Sequence, residues 1–455
     1  MKIENKFIFK EYDIRGIVGV EIPLQLVYHI GRAIGSIVKR NGGSKISVGR
    51  DGRLSGKSFF KEFTKGIIEC GIDVLDLGMV PTPLMYFSLF KYDLDGGVEI
   101  TASHNPPEYN GFKICVGKET IYGKEIKKIA EIIEKEDYES GIGGIEIVDV
   151  VKDYSDYILK SFSNMSGGMK IAMDCGNGTA GIVAPEIFRN LGFTVEELFS
   201  EVDGRFPNHI ADPTKEETLK WIREVVLSQK LPLGIAFDGD VDRIGVIDEN
   251  GKYIQGDMLL TLYALELLKK EKGIKVVSEV KASVVFYDLV KKAGGIPIMW
   301  KAGHSLIKAK MHEENAPLGG EVSGHMFFRD RYFGYDDAIY AALRLMEIIS
   351  LEGENLSYFF KDFPKTFASP EIRIPCPETI KKVVVEKIKE DYSKYNIIDI
   401  DGVRIDFGSG WALVRPSNTQ PVLVLRFEAY DRDFFEKISK EIEAKTKKYI
   451  ERYKK

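Results

Sequence analysis

The amino-acid sequence predicts three consecutive, similar mixed α/β domains followed by a smaller C-terminal α+β domain. Its 455 residues are too many for one hydrophobic core, because single cores stop growing near roughly 250 to 300 residues. A strand–helix–strand pattern also occurs three times, and it ends at about Pro370. The turns between the repeats place the domains at 1–150, 151–250, 251–366 and 367–455.

The repeated unit begins with a lysine and a short apolar run, which together predict a strand. The first strands are expected at 45–48, 170–173 and 275–277. After a helix-length stretch, second strands opened by a glycine are expected at 71–77, 192–199 and 294–300. Parallel neighbours need a connection of a dozen or more residues, so each unit indicates a parallel sheet with a right-handed helical crossover.

A polar loop follows the third strand of every repeat. The loops run from Thr101 to Pro106, from Asp238 to Arg243 and from Gly320 to His325. In open parallel sheets ligands bind beyond the carboxyl ends of the strands, so we expect these equivalent loops to converge on one cleft. Chance resemblance among α/β segments is the alternative, and the chemistry of the loops argues against it.

The chain beyond Pro370 has a different pattern. Apolar stretches joined by tight turns predict short strands within 397–407, 411–414 and 422–430. A charged helix is expected from Asp433 onward. These elements are typical of a smaller α+β domain.

Composition excludes several classes of protein. The 64 basic and 69 acidic residues give a net charge of −5, which argues against a surface built to bind nucleic acid. No run reaches the roughly 18 apolar residues that span a bilayer, and the first residues form no signal-peptide core. The four cysteines form no C-x-x-C pair, which fits a reducing compartment. We therefore expect a cytoplasmic protein without a nucleic-acid or membrane partner.

Asp238, Asp240 and Asp242 stand at alternate positions directly after an apolar stretch. In an extended segment such residues face one side, so their carboxylates repel one another unless a cation joins them. Mg²⁺, ahead of Ca²⁺, fits because hard cations prefer oxygen ligands, with room left for a phosphate oxygen. An EF-hand is disfavoured because Arg243 stands where that loop needs glycine. A solvated acidic turn is the remaining alternative.

Ser103 follows the predicted strand 96–100, and two prolines fix the turn after it. Its hydroxyl is therefore expected to be held in place at a strand end. The segment lacks the G-x-S-x-G pattern of a nucleophile elbow, so an acyl-transfer triad is disfavoured. His104 is expected to orient or protonate a neighbouring phosphate oxygen, with a purely structural role as the alternative.

Two further loops carry groups that suit a phosphorylated sugar. Glu321, Ser323 and His325 stand at alternate positions and can exchange hydrogen bonds with sugar hydroxyls, which both donate and accept. The tail loop contains Arg415, Ser417, Asn418 and Thr419 between two prolines. An arginine fork matches phosphate oxygens in bidentate fashion, and amides in a rigid turn add donors. Ordinary polar turns are the alternative for both loops.

Taken together, the four loops resemble those of the α-D-phosphohexomutase superfamily, most closely its phosphomannomutase/phosphoglucomutase branch. The segments that extend the resemblance are Tyr12 to Gly16, Val48 to Arg53, Tyr109 to Lys113, Val280 to Ser283 and Gly303 to Lys308. It covers nearly the whole chain, and it implies a heart-shaped protein of four domains with a central cleft.

The resemblance also implies roles for individual residues. Ser103 would carry the transferred phosphoryl group, and the implied catalytic residues beside it are His104, Lys113 and Arg243. The implied Mg²⁺ ligands are Ser103, Asp238, Asp240 and Asp242. The implied substrate contacts are Tyr12, Arg15, Lys281, His304, Glu321, Ser323, His325, Arg415, Ser417, Asn418 and Thr419.

The implied activity is reversible phosphoryl transfer between the 1- and 6-positions of mannose or glucose phosphates, through a phosphoserine and a hexose 1,6-bisphosphate. Mg²⁺ is the implied cofactor, and glucose 1,6-bisphosphate or mannose 1,6-bisphosphate is the implied activator. The hexose phosphate is the expected partner of a monomer or small homo-oligomer. Three alternatives stay open: a phosphoglucosamine mutase, a metal-dependent phosphatase, and a sugar-phosphate-binding paralogue without catalysis.

Overall fold

The computed structural model describes residues 2–165, 167–417 and 420–454. The chain divides into two compact units, and each contains segments that are separated in sequence. Unit 1 consists of Met1–Gly256 and Ser323–Phe359. Unit 2 consists of Asp257–Val322 and Phe360–Lys455.

The regular elements alternate between strands and helices over most of the chain. The strands are β1 Ile14–Ile17, β2 Lys45–Arg50, β3 Asp73–Met79, β4 Gly96–Ile100, β5 Tyr109–Val116, β6 Glu119–Thr120, β7 Ile145–Ile147, β8 Lys170–Asp174, β9 Thr194–Leu198, β10 Leu233–Phe237, β11 Ile244–Asp248, β12 Tyr253–Ile254, β13 Lys275–Glu279, β14 Ile296–Trp300, β15 Leu318–Gly320, β16 Met326–Phe328, β17 Phe367–Ala368, β18 Ile372–Pro375, β19 Asn396–Ile398, β20 Val403–Asp406, β21 Gly410–Pro416 and β22 Val422–Ala429. The helices are α1 Leu24–Arg40, α2 Gly56–Ile68, α3 Thr82–Lys91, α4 Lys124–Lys135, α5 Val150–Ser161, α6 Ala184–Asn190, α7 Lys220–Gln229, α8 Gly256–Lys270, α9 Val284–Lys292, α10 His304–Glu314, α11 Ala338–Glu352, α12 Lys381–Asp391 and α13 Arg432–Tyr453.

Three sheets share one arrangement of parallel strands. β2 lies between β3 and β4, β8 lies between β9 and β10, and β13 lies between β14 and β15. In each case the strand that comes first in the chain is central and the other two flank it, which confirms the predicted repeat. The loops after β4, β10 and β15 are the three polar loops identified in the sequence.

Antiparallel strands extend two of these sheets and make them mixed. β5 pairs with β4 and with β1, whereas β7 adds a parallel strand beyond β3. β11 forms a hairpin with β10, and β12 pairs with β11. The predicted mixed α/β class is therefore confirmed, while the domain boundaries near residues 150, 250 and 366 stay a prediction.

The helices of the first repeat pack unusually closely because glycines line their crossing. A Cβ on Gly31 of α1 would lie 2.2 Å from the carbonyl oxygen of Phe63 in α2. A Cβ on Gly66 of α2 would lie 2.3 Å from the carbonyl oxygen of Tyr28. Only glycine allows this approach, which seals the core beneath β2 and β4.

The C-terminal sheet is antiparallel and has α12 and α13 packed against it. The first predicted strand region, 397–407, contains two strands, β19 and β20, joined through a turn in which Gly402 has a φ of +81°. The last helix begins at Arg432, because the Asp431 side chain accepts a hydrogen bond from the Phe434 amide and caps it. In the part of the chain that the structure describes, no helix is long and apolar enough to cross a membrane.

Candidate active site

The backbone holds Ser103 in one position just beyond β4. Its φ of +51° lies in the left-handed region, which few residues other than glycine adopt. The Thr101 hydroxyl oxygen accepts a hydrogen bond from the Ser103 amide at 2.8 Å, and only 2% of Ser103 is exposed. Strained, buried backbone of this kind persists only where its surroundings fix it.

The buried guanidinium of Arg53 is the main support of this loop. It donates hydrogen bonds to the carbonyl oxygens of Ser103 at 2.8 Å, Asn105 at 2.6 Å, Pro106 at 2.6 Å and Tyr109 at 3.0 Å. Asp51 accepts a further bond from Nε of Arg53 at 3.1 Å and one from the Thr101 hydroxyl at 2.7 Å. One arginine therefore organises the main chain from Ser103 to Tyr109.

The acidic loop between β10 and β11 is equally constrained. Asp238 Oδ1 accepts the backbone amides of Asp242 and Arg243, each at 3.1 Å. Val241, which is β-branched, has a φ of +67° and is a clear conformational outlier. A Cβ on Gly239 would lie 2.6 Å from the Ser103 carbonyl oxygen, so this position needs glycine for the two loops to meet.

The serine and the aspartates are in direct contact. Ser103 Oγ donates a hydrogen bond to Asp238 Oδ2 at 2.6 Å. His104 Nδ1 lies 3.0 Å from the same Oγ. Because the hydroxyl has one hydrogen and Asp238 receives it, the imidazole Nδ1–H is the donor in the second bond.

Lys113 of β5 and Thr82 of α3 bind the other side of the acidic loop. The Lys113 ammonium contacts Asp240 Oδ2 at 2.6 Å and also Asp242 Oδ2. The Thr82 hydroxyl donates to Asp240 Oδ2 at 2.7 Å. Each of these aspartates thus has one oxygen engaged by the protein.

The remaining carboxylate oxygens fit a divalent cation. Oδ1 of Asp240 and Oδ1 of Asp242 are buried and have no hydrogen-bond partner among the described residues. One ligand atom from each of Asp238, Asp240 and Asp242 lies within 4.8 Å of the others. An all-oxygen donor set with unsatisfied oxygens is the chemistry that Mg²⁺ prefers, so these three residues would hold it.

The electrostatics of the site follow from burial and crowding of charge. Burial, then the neighbouring carboxylates, raises the pKa of Asp238 well above its usual range. Burial alone would lower the pKa of Lys113, but Asp240 and Asp242 outweigh it and raise that pKa. Burial opposes ionisation of Asp242 too, yet Lys113 lowers its pKa. Burial and then Arg243 keep the pKa of His104 well below its usual range.

His325, which precedes β16, belongs to the same group of side chains in unit 1. Arg243 Nε donates a hydrogen bond to His325 Nε2 at 2.9 Å. His325 Nδ1 lies 3.1 Å from Asp336 Oδ2 and 3.7 Å from Asp242 Oδ1. Asp242, His325 and Asp336 can also provide ligand atoms to one ion. Arginine always donates, so His325 Nε2 is an acceptor and its proton resides on Nδ1.

Three further predicted contact residues lie in unit 1. Arg15 of β1 donates to Asn105 Oδ1 at 2.7 Å and to Asp13 Oδ2 at 2.5 Å, so it joins β1 to the serine loop. Tyr12 is partly buried just before β1. Ser323, also partly buried, opens the segment that returns to unit 1.

Unit 2 contains a second cluster of charges, which surrounds Lys281. The Lys281 ammonium lies 2.8 Å from Glu371 Oε1 and 3.3 Å from Glu279 Oε2. Glu279 is fully buried, and burial raises its pKa to about 7. Lys281 chiefly lowers the pKa of Glu371, so that residue is the ionised partner at neutral pH.

The other predicted ligand contacts of unit 2 are held by neighbouring main chain and carboxylates. Glu321 Oε1 accepts the Gly303 amide at 2.7 Å, which fixes the start of α10 and its first residue, His304. Asp401 accepts hydrogen bonds from Arg415 at 3.2 Å and from the Ala302 amide at 3.0 Å.

The tail loop is described only in part. Ser417 Oγ accepts the Gln420 amide at 3.1 Å. Asn418 and Thr419 lie outside the described residues.

The structure therefore brings nine of the predicted residues together in unit 1 and places Lys281 and Arg415 among carboxylates in unit 2, whereas the contacts described above do not join Tyr12, Ser323 or Ser417 to either set. The group of unit 1 contains Arg15, Ser103, His104, Lys113, Asp238, Asp240, Asp242, Arg243 and His325. In unit 2, Lys281 lies between Glu279 and Glu371, and Arg415 is held by Asp401. Sequence reasoning gave no role to Arg53, Asp336 or Glu279. Arg53 stood in a quoted motif, but nothing in its spacing shows that it binds a loop some 50 residues away.

Comparisons with known proteins cover all four domains. Four family profiles match, described as phosphoglucomutase/phosphomannomutase alpha/beta/alpha domains I, II and III and C-terminal domain, over residues 6–140, 152–251, 255–367 and 371–445. A phosphomannomutase/phosphoglucomutase of Pseudomonas aeruginosa is 46% identical over 95% of this chain and 93% of the relative. A phosphoglucomutase of Neisseria gonorrhoeae is 41% identical over 96% of both. A crystal structure of a phosphoglucomutase/phosphomannomutase family protein from Burkholderia thailandensis matches with a TM-score of 0.91 and 37% identity over 98% of both chains.

Proposed function

Since the chain belongs to the phosphoglucomutase/phosphomannomutase family and is a hexose phosphate mutase, we propose that it moves a phosphoryl group between the 1- and 6-positions of mannose and glucose phosphates by way of a phosphorylated Ser103. A hexose 1,6-bisphosphate is the intermediate. The observation that carries this proposal is the 2.6 Å contact between Ser103 Oγ and Asp238, at the edge of a cluster of oxygens fit for Mg²⁺.

The covalent step exchanges one P–O bond for another. The free hydroxyl of the hexose monophosphate attacks the phosphorus on Ser103, the bond from phosphorus to Oγ breaks, and the bond to the sugar oxygen forms. His104 Nδ1–H, at 3.0 Å from Oγ, stabilises that oxygen as it leaves. The proton of the attacking hydroxyl ends on Oγ, so Ser103 is left as a neutral hydroxyl, and the bisphosphate then turns and returns its other phosphoryl group to Ser103.

Asp238, Asp240 and Asp242 would hold the metal ion. When bound, Mg²⁺ neutralises charge on the phosphoryl group during transfer. Lys113 and Arg243 contribute positive charge at the same site, since Lys113 contacts Asp240 and the Arg243 guanidinium is bound by His325. Arg53 keeps Ser103 in place by binding its carbonyl oxygen.

The phosphate that does not react requires separate cations. Arg415 and Lys281 are the candidates, and in the described structure each is paired with a carboxylate of its own unit. A guanidinium and an ammonium presented on rigid elements bind phosphate without further ordering. One carboxylate oxygen of Glu321 accepts the Gly303 amide, and the other oxygen is available to bind sugar hydroxyls.

The donor assignment is tested by replacing Ser103. The Ser103→Ala variant should lose at least about 1,000-fold in kcat, because a nucleophile cannot be replaced by binding groups alone. Ser58→Ala, which removes an exposed hydroxyl from α2, is the matched control and should keep parental turnover. After incubation with glucose 1,6-bisphosphate, intact-mass analysis should show one added phosphoryl group on the parent and none on Ser103→Ala. Near-normal turnover of Ser103→Ala would overturn the assignment.

Substrate preference is tested by offering mannose 1-phosphate, glucose 1-phosphate and glucosamine 1-phosphate side by side with Mg²⁺ and glucose 1,6-bisphosphate. We expect the mannose and glucose compounds to be isomerised with the higher kcat/KM. A higher value for glucosamine 1-phosphate would place the chain with the phosphoglucosamine mutases. Release of free phosphate faster than isomerisation would indicate a phosphatase.

A further inference from the structure

Glu99 is a buried acid on an interior strand of the first sheet. It lies in β4 and is 0% exposed, and neither of its carboxyl oxygens has a partner among the described residues. A Cβ on Gly49, its neighbour in β2, would lie 2.3 Å from Glu99 Oε2. The fold thus keeps space for this side chain and still leaves its oxygens unsatisfied, which calls for an explanation.

The environment of Glu99 disfavours its charge in the described state. Burial raises its pKa well above the usual range, and Asp51 and Asp240 add to that effect, whereas Lys113 acts in the opposite direction. Lys113 stands directly opposite Glu99 in the antiparallel pair of β4 and β5. The Cβ atoms of such opposite residues are about 4.5 to 5.5 Å apart on the same face of the sheet. Lys113 is therefore the cation nearest in register to Glu99.

Lys113 now binds the oxygens of two residues that would hold a metal. Its ammonium contacts Asp240 Oδ2 at 2.6 Å and Asp242 Oδ2. A divalent cation on the Oδ1 atoms of Asp240 and Asp242 would neutralise the carboxylates that Lys113 contacts through Oδ2, and it would repel the ammonium. Since a buried ammonium cannot be left without a counter-charge, Lys113 needs another carboxylate when the metal binds.

We propose that Glu99 is a positioning residue that receives the Lys113 ammonium when Mg²⁺ occupies the three aspartates. The four-carbon stem of lysine is flexible enough for this short displacement. Metal binding then exchanges one cation for another at Asp240 and Asp242, and the displaced ammonium is paired again inside the protein. Glu99 in this way strengthens Mg²⁺ binding without touching the metal. The inference rests on the proposed metal site and is independent of which sugar the protein uses.

The affinity for the metal alone tests this proposal. Mg²⁺ is titrated calorimetrically into the full-length parent, into Glu99→Gln, and into Glu119→Gln, which removes an exposed carboxylate from the adjacent β6. We expect Glu99→Gln to raise the Kd for Mg²⁺ by about tenfold or more, as losses of supporting residues around metal ligands do. Glu119→Gln should leave it unchanged. An unchanged Kd in Glu99→Gln, with parental circular dichroism, would overturn the proposal.

A second measurement does not depend on any variant. In a crystal structure of the full-length parent with Mg²⁺, the Lys113 ammonium should lie within hydrogen-bond distance of a Glu99 oxygen. If the Lys113 ammonium still contacts Asp240 beside a bound ion, the proposed exchange is wrong, although the metal site is correct. If the parent binds no Mg²⁺ at the aspartates, the metal site is wrong and this inference is wrong with it.

Discussion

Each unit of the molecule contains a lysine among carboxylates, and the two lysines differ in burial and in the charge around them. Lys113 in unit 1 contacts Asp240 and Asp242, with Asp238 in the same cluster. Lys281 in unit 2 contacts Glu279 and Glu371. The side chain of Lys113 is 3% exposed, whereas that of Lys281 is 13% exposed.

The two clusters differ in the sign of the charge that would balance them. In unit 1 the carboxylates outnumber the lysine, and one buried oxygen each of Asp240 and Asp242 has no hydrogen-bond partner among the described residues, so the cluster attracts a further cation. In unit 2 burial raises the pKa of Glu279 to about 7, which leaves Lys281 and the nearby Arg415 with less opposing charge. We therefore propose that the same residue type supports a metal site in one unit and a phosphate site in the other.

The largest effect is expected from removing one charge from the acidic cluster. Asp240→Asn should lower kcat/KM by more than about 100-fold at a fixed Mg²⁺ concentration, because it removes a ligand rather than a supporting residue. Steady-state assays over a Mg²⁺ titration measure the change. Asp156→Asn, an exposed change on α5, is the control. If the parent protein stays active after all divalent metal is chelated, the acidic cluster of unit 1 is not a metal site that the reaction needs.

A smaller effect is expected from the phosphate site that we propose in unit 2. Arg415→Ala should raise KM for the hexose phosphate by about 10- to 100-fold, since a hydrogen bond to a charged group contributes roughly 1.5 to 3 kcal/mol. Arg432→Ala, which changes an exposed arginine at the start of α13, should leave KM unaltered. If Arg415→Ala instead lowers kcat at constant KM, Arg415 acts in phosphoryl transfer, and the division between a metal site in unit 1 and a phosphate site in unit 2 is weakened.

The smallest effect concerns the pH dependence of the same site. Burial raises the pKa of Glu279 to about 7, so this carboxyl gains its charge as pH rises through neutrality. The groups that face it are Lys281, Glu321, Glu371 and Arg415. The added negative charge weakens phosphate binding, so KM should rise by about two- to fivefold from pH 6 to pH 8.

Glu279→Gln separates this effect from the ionisation of the substrate, whose phosphate titrates near about pH 6. The amide oxygen can still accept the Val322 amide that Glu279 Oε1 now accepts at 3.1 Å. The variant should show a flatter KM profile over the same range. If KM changes with pH by the same factor in parent and variant, the ionisation of Glu279 does not control the pH dependence.

The sequence predicted the repeated sheets because their signals are local. A lysine, an apolar run and a glycine mark the strands on which the fold depends, and β4 has the bounds expected for it. The contact of Ser103 with Asp238 joins residues 135 positions apart, and the shared topology of the repeats and the family resemblance were what indicated it. In the tail, one apolar region, 397–407, contains two strands, because the turn at Gly402 interrupts it without any change in composition.

The supporting residues could not be predicted from the sequence, and the reason is physical. Arg53 acts through carbonyl oxygens, which every residue has, so no sequence pattern marks its partners. Glu99 stands out in the sequence because it is a charged residue within an apolar strand. Its role could not be predicted, however, because that role depends on the strand register that places it opposite Lys113. Register is fixed by the packing of whole sheets rather than by the residues of one strand.

The discontinuity of unit 1 has a consequence for how the protein is synthesised. Asp337, which accepts hydrogen bonds from Tyr154 and Tyr332 at 2.8 Å, belongs to a segment that leaves the ribosome after much of unit 2. Translation at 5 to 20 residues per second puts roughly 5 to 20 s between Gly256 and Phe359. During that interval the nascent N-terminal half lacks α11 and exposes the apolar surface that this helix later covers. A fragment truncated at Gly256 should therefore aggregate more readily than the full-length protein.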